Sequence, residues 1–263
     1  MRRRDRNMLP VKEPDQQTIE VYGQSLLEIL TKINENLQDD TPTRAIRLIH
    51  DRVGGTVDTL MILARHARHR FVTDAVSMLR MLFDAMWQAE YLMHDPSQCE
   101  ARASLFLDWK WVERYQSMER VDTCDLAIAR HLRTSPKRRA AEPEIRRRFE
   151  TVKHRYLTPK GRIRAHWYEP PNLSKLTREI ERQNEYQWFQ PLLSGAVHSA
   201  VWTLDDGPML TEATTIYIAI DATFRILGLI TDHLGLSLSD PTSHFLAFAR
   251  KDILGENPIA NSR

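Results

Sequence analysis

Val72-Thr-Asp-Ala-Val-Ser-Met-Leu-Arg80-Met-Leu-Phe-Asp84-Ala-Met-Trp-Gln-Ala-Glu90-Tyr-Leu-Met93 is the stretch on which the fold turns. Ala75, Val76, Leu79, Leu82, Phe83, Met86 and Met93 recur at three- and four-residue spacing, the signature of one apolar helix face. Arg80 and Asp84 interrupt that face four residues apart, so on a helix they lie one above the other. Such a pair is an ordinary helix salt bridge in one reading and half of a polar site in the other.

The same period continues on both sides. Residues 15–37 place Ile19, Tyr22, Leu26, Ile29, Leu30 and Ile33 on one face. Asp39-Asp40-Thr41-Pro42 reads as a stop and restart, with Thr41 as cap and Pro42 at the first helical position. A second helix is expected to run from there to about Arg68. His94-Asp95-Pro96-Ser97 is a turn, and a fourth helix with Phe106, Trp109, Trp111, Val112 and Tyr115 extends to about Met118.

Further on, residues 122–132 suggest a short helix and 142–156 a very basic one. Thr158-Pro159-Lys160-Gly161 is a turn signal, and Pro170-Pro171 forces loop or extended backbone before them. Asn172 or Ser174 caps a helix through Arg182, and a long apolar helix covers about Thr211 to Leu234. No alternating window supports a sheet. The expectation is an all-α protein of about ten helices. It is a single, multi-helix, bundle-like domain over 15–250, with a basic helical hairpin or protrusion near 136–166. A basic flexible N-terminus (1–14) and a tail (251–263) flank it.

Composition excludes several function classes. The chain has 263 residues, 42% of them apolar, enough for a substantial core. Nine glycines are few for a nucleotide-binding α/β enzyme, and no G-x-G-x-x-G or phosphate-loop pattern occurs. Gly54-Gly55 sits within a helical pattern. Cys99 and Cys124 lack metal-ligand spacing, so no metal or other cofactor is expected, and a reducing cytoplasm is the simplest compartment. The most apolar stretch, 216–236, carries Asp221, Arg225 and Asp232, which argues for a buried helix rather than a membrane span.

Charge is uneven. Residues 137–166 hold eleven Lys/Arg against three Glu, a net of +8, and residues 2–6 add +3. With a formal total of +2, the remainder of the chain carries −9. Lys137, Arg138, Arg139, Arg146, Arg147, Arg148, Lys153 and Arg155 are therefore candidate nucleic-acid contacts. The plainer reading is a solvated charged protrusion. RNA or another nucleic acid, an acidic protein and a second copy of the chain are the candidate partners; a membrane is not.

Tyr186-Gln-Trp-Phe189-Gln-Pro-Leu-Leu-Ser194-Gly-Ala-Val-His198 holds the other polar pair. Ser194 and His198 share a helical face among aromatic and apolar neighbours, where polar groups need partners or a task. A helix–helix contact with a backbone-bonded imidazole would satisfy them equally well.

Three segments together resemble the bacterial family known as domain of unknown function 5677. They are Arg80-x3-Asp84 followed by Ala89-Glu90-Tyr91-Leu92 and Asp95-Pro96; Trp167 followed by Asn172-Leu-Ser-Lys-Leu; and Tyr186-x2-Phe189-x4-Ser194-x3-His198. The resemblance spans about residues 15 to 235. Asp84 stands where the family pattern has Glu, and Phe189 where it has Tyr, which removes a hydroxyl. The resemblance implies an all-α protein of undetermined activity, related to the helical HEPN group of RNA-cleaving toxin and defence proteins. The Arg-then-His pattern of that group has two matches, Arg44-x5-His50 and Arg148-x5-His154, with Ala45 and Phe149 where a polar residue would follow the Arg.

If the third helix packs against the one carrying His198, then Arg80, Asp84, Ser194, His198 and Tyr186 form one composite catalytic centre. A metal-independent ribonuclease needs a base for the 2′-hydroxyl and a cation for the phosphorane, roles open to His198 and Arg80. The competing class is a non-enzymatic interaction or regulatory module in which the same residues fix helix register. A serine hydrolase fits poorly, since Ser194 lacks the strand–turn–helix elbow.

Overall fold

The structure is a computed structural model that describes residues 28–29, 31–33, 35–36, 40–66, 71–197, 212–237 and 239. Among the described residues the chain is mainly helical, without strands; Leu157 and Ile163 form an isolated antiparallel bridge. The described residues of 28–36 are helical. They are followed by α1 (Thr41–His66), α2 (Phe71–Met93), α3 (Cys99–Thr123), α4 (Ala127–Thr134) and α5 (Pro136–Val152). A 3-10 turn (Lys153–Tyr156), α6 (Leu173–Glu179), α7 (Gln183–Val197) and α8 (Glu212–Leu234) complete the order. The all-α expectation holds.

Local chemistry explains the boundaries, including those that differ from expectation. The Asp40 carboxylate, not the Thr41 hydroxyl, caps α1: its Oδ1 accepts from the Thr43 amide at 2.7 Å. That shifts Thr41 and Pro42 one position into the first turn. The turn before α3 is the expected one, with Asp95 Oδ1 accepting from the amide and hydroxyl of Ser97 at 2.9 and 2.7 Å. α3 runs to Thr123, past the expected end at Met118.

The basic helix starts at Pro136 rather than Glu142. Pro136 takes the tolerated first-turn position, and the exposed Pro143 sits inside the helix. Asn172 caps α6 as expected, accepting from the Lys175 amide at 3.0 Å. That helix stops at Glu179, short of Arg182, because Glu181 adopts a left-handed φ of 61°.

The Cα positions group into two compact units. Unit one comprises residues 49–90 with the described parts of 1–38 and 184–263; unit two comprises 39–48 and 91–183. In unit one, Leu79, Leu82, Phe83, Met86 and Trp87 of α2 are buried, as is Leu193 of α7. The rings of Phe83 and Phe189 meet at 4.3 Å and those of Trp87 and Tyr186 at 5.5 Å, so α2 and α7 are neighbours. Residues 222–228 of α8, Arg225 among them, are buried, in keeping with the buried helix expected there.

In unit two, α3 packs along α5, with Tyr115 lying flat on Phe149 (3.8 Å, 4°). Tyr156 donates to the Leu105 carbonyl at 2.7 Å and meets the Trp109 ring at 5.1 Å. Trp167 is buried against Tyr91, Phe106 and Tyr168. The loop between them turns at Gly161, whose φ of +71° suits a residue without a Cβ.

Candidate functional site

The polar centre forms on the facing surfaces of α2 and α7 within unit one. Arg80 Nε donates to both oxygens of Asp84, at 3.0 and 3.2 Å, the (i, i+4) geometry expected from the sequence. Arg80 Nη1 donates to Ser194 Oγ on α7, which joins the Arg80–Asp84 pair to the Ser194 half of the second pair read from the sequence. Gln190 Nε2 also donates to Ser194 Oγ, at 2.9 Å and one turn earlier on the same helix.

Arg80 and Asp84 keep 25% and 32% of their side-chain surface exposed, so the centre is open to water rather than sealed in the core. Burial pushes the Asp84 carboxyl above its ordinary 3.8, and the nearby guanidinium charges of Arg80 and Arg52 only partly offset this. Ser194 Oγ receives two donors and thereby anchors the Arg80 guanidinium to α7.

Tyr186 takes a packing position: its ring meets Trp87, and among the described residues its hydroxyl makes no hydrogen bond to Arg80, Asp84 or Ser194. Phe189 packs its ring against Phe83. His198 lies outside the described residues, immediately past the end of α7 at Val197.

The basic candidates lie in unit two, and most carry acidic partners. Arg138 pairs with Asp122 at 2.5 Å, Arg146 with Glu142 at 2.9 Å, and Arg147 and Arg148 with Glu144 at 2.7 and 2.8 Å. Lys153 pairs with Glu150 at 2.5 Å, and Arg155 pairs with Asp108. Lys137 and Arg139 have no carboxylate partner within ion-pair distance among the described residues. Exposed pairs contribute only about 0–1 kcal/mol each, so an incoming phosphate can take over such an arginine at little cost. Of the two Arg-then-His matches, Arg148 is held by Glu144, and His154 stands exposed on the 3-10 turn.

A third polar cluster escaped sequence reading. Arg225, 4% exposed on α8, donates to Glu90 at 2.9 Å and to Glu185 at 2.5 Å, and Trp87 Nε1 donates to Glu185 at 3.3 Å. The only advance signal was a charge inside each of two apolar helices, with nothing to pair them. Among the described residues, no three His, Cys, Asp or Glu side chains are placed to hold a metal ion. No helix among them is long and apolar enough to cross a membrane.

The α2 pair, the Trp167–Asn172 connector and the Ser194 helix all fall within residues 44–210, which match one family profile described as a family of unknown function. The chain belongs to DUF5677. The DUF5677 match is narrower at both ends than the 15–235 span expected, and it does not extend to the HEPN group. No curated protein and no solved structure matches the chain.

Proposed function

We propose that this protein is a ribonuclease-type, HEPN-like enzyme that cleaves RNA with side chains alone, acting from the α2–α7 centre. The observation that supports the reading is the Arg80–Ser194 contact in a water-accessible setting. It fixes a guanidinium, backed by Asp84, in a place that a phosphate can reach. The reading assigns His198 as the base that takes the 2′-hydroxyl proton. The 2′-oxygen then bonds to phosphorus, the bond to the 5′-oxygen breaks, and the departing oxygen takes up a proton. Arg80 stabilises the phosphorane charge. The test incubates end-labelled RNA with the wild type and with Arg80→Ala and His198→Ala. Ends bearing 2′,3′-cyclic phosphate, lost in both variants while each remains folded at the assay temperature, are expected. No cleavage by the wild type, or full cleavage by both variants, overturns it.

One observation favours a second reading. Asp84 takes both of its contacts from Arg80, and Ser194 is already bonded twice, which is what a network that fixes helix register requires. The protein would then be a non-enzymatic interaction module whose basic segment docks on nucleic acid or an acidic partner. A sharp fall in melting temperature in His198→Ala or Arg80→Ala, with no RNA cleaved by the wild type, is its signature.

A further inference from the structure

Trp111 on α3 collects three cations. The Lys110 ammonium lies 5.2 Å from its ring centroid, the Arg114 guanidinium 5.1 Å, and the Arg148 guanidinium, reaching over from α5, 5.7 Å. The ring is half-buried, whereas all three cations are exposed. Arg148 is paired with Glu144, but neither Lys110 nor Arg114 has a carboxylate within ion-pair distance among the described residues. Three like charges around one ring repel each other. The ring's attraction for each offsets this only in part. An anion beside the ring would relieve the rest.

A second aromatic follows at once. Tyr115 is four residues further along α3, about 6 Å along the helix axis and on the same face. It lies flat on Phe149 and has the Arg146 guanidinium 5.8 Å from its centroid. Tyr115 already stacks on Phe149, which leaves the Trp111 ring for a base, and the cations around both rings suit the phosphates of an unpaired strand. A duplex hides its base faces, and an acidic peptide has no use for the rings. None of Lys110, Trp111, Arg114 or Tyr115 belongs to the basic segment singled out from the sequence.

We propose that Trp111, with Lys110, Arg114 and Arg148, is a contact point for single-stranded RNA, the ring stacking on a base and the cations holding the flanking phosphates. The assignment rests on the reading that this protein binds RNA, and it adds where the strand is gripped and in which form.

The test measures binding of a fluorescent 2′-O-methyl oligouridine, which lacks the nucleophilic hydroxyl and so cannot be cleaved, against a 2′-O-methyl duplex of equal length. The wild type is expected to prefer the single strand. Trp111→Ala should weaken it roughly tenfold or more, and Trp111→Phe should retain most of the affinity. Lys110→Gln with Arg114→Gln changes only exposed side chains and should flatten the slope of log affinity against log salt by about 1.4, or ~0.7 for each lost phosphate contact. Failure of the wild type to bind either probe overturns RNA binding as a whole. A preference for the duplex, or wild-type affinity in both the Trp111→Ala and the double variant, overturns this assignment and leaves RNA binding standing.

Discussion

Arg80 on α2 donates to Ser194 on α7, 114 residues further along the chain, while its Nε holds both oxygens of Asp84. A planar guanidinium makes both contacts at once, whereas an ammonium cannot reproduce the fork. Arg80→Lys should therefore behave more like Arg80→Ala than a conservative change normally would. Both should lower unfolding free energy by about 1 kcal/mol in urea titrations, given the partial exposure of the pair. If Arg80→Lys matches the wild type, the forked geometry is not what ties α2 to α7.

Asp84 gives a titration test with a definite sign. Its folded pKa is raised above 3.8 by burial, so the native state binds the proton more readily than the unfolded chain. Stability from this group accordingly rises as pH falls from above the raised value towards 3.8, opposite to the usual behaviour of a salt-bridged carboxylate. A carboxyl-carbon NMR titration should place Asp84 above ordinary aspartates, and Asp84→Asn should remove the acid-side gain. A midpoint at or below 3.8 sinks the idea that burial outweighs the arginines.

How far all this could be read in advance depends on distance along the chain. The Arg80–Asp84 pair was legible because a helix turns a four-residue spacing into a contact, and α2 was legible from its 3.6-residue period. Ser194 meeting Arg80 was legible only as a conditional, since it needs two helices to pack in one particular register. Arg225 could not be paired at all: its partners lie 135 and 40 residues away, and its sequence said only that a charge sits in an apolar helix. Trp111 was concealed for the opposite reason. Among Trp109, Val112 and Tyr115 it reads as core, and only the cations around it mark it as different.

The Arg225 cluster predicts the largest stability effect in unit one. Arg225→Leu leaves Glu90 and Glu185 buried without their cation, a loss of about 3–5 kcal/mol for a broken buried pair. Adding Glu90→Gln and Glu185→Gln to that background removes the stranded charges and should recover part of the loss. Denaturant midpoints for the single and triple variants check it. A triple variant no more stable than the single one would mean that lost packing, not stranded charge, dominates.

The start of α1 separates two neighbouring residues that sequence rules treat alike. Asp40→Ala removes the acceptor of the Thr43 amide and should cost about 1 kcal/mol. Thr41→Ala should stay within ~0.5 kcal/mol of the wild type, as for an ordinary surface position. Thermal melts of the two variants decide between the caps, and equal losses would return the role to Thr41.

His166 predicts acid sensitivity in unit two. Its ring stacks on Tyr168 at 4.1 Å and lines a cleft of about 440 Å³ with Arg155, Arg164 and Glu169. Burial holds its pKa below 6.5; hydrogen bonds that the ring donates to the carbonyls of Pro171 and Pro170 oppose this in part, and the charge of Arg164 adds a smaller push down. A base whose folded pKa is depressed takes up its proton first in the unfolded chain. Stability is therefore fully present above pH 6.5 and is lost as pH falls from there towards the depressed value, at up to ~1.4 kcal/mol per pH unit. His166→Gln keeps a polar side chain of similar reach but cannot take the proton. Urea titrations at neutral pH and at two points below pH 6.5 should show a shallower decline for His166→Gln than for the wild type. Parallel declines would place the imidazole in water, free to protonate in the folded state.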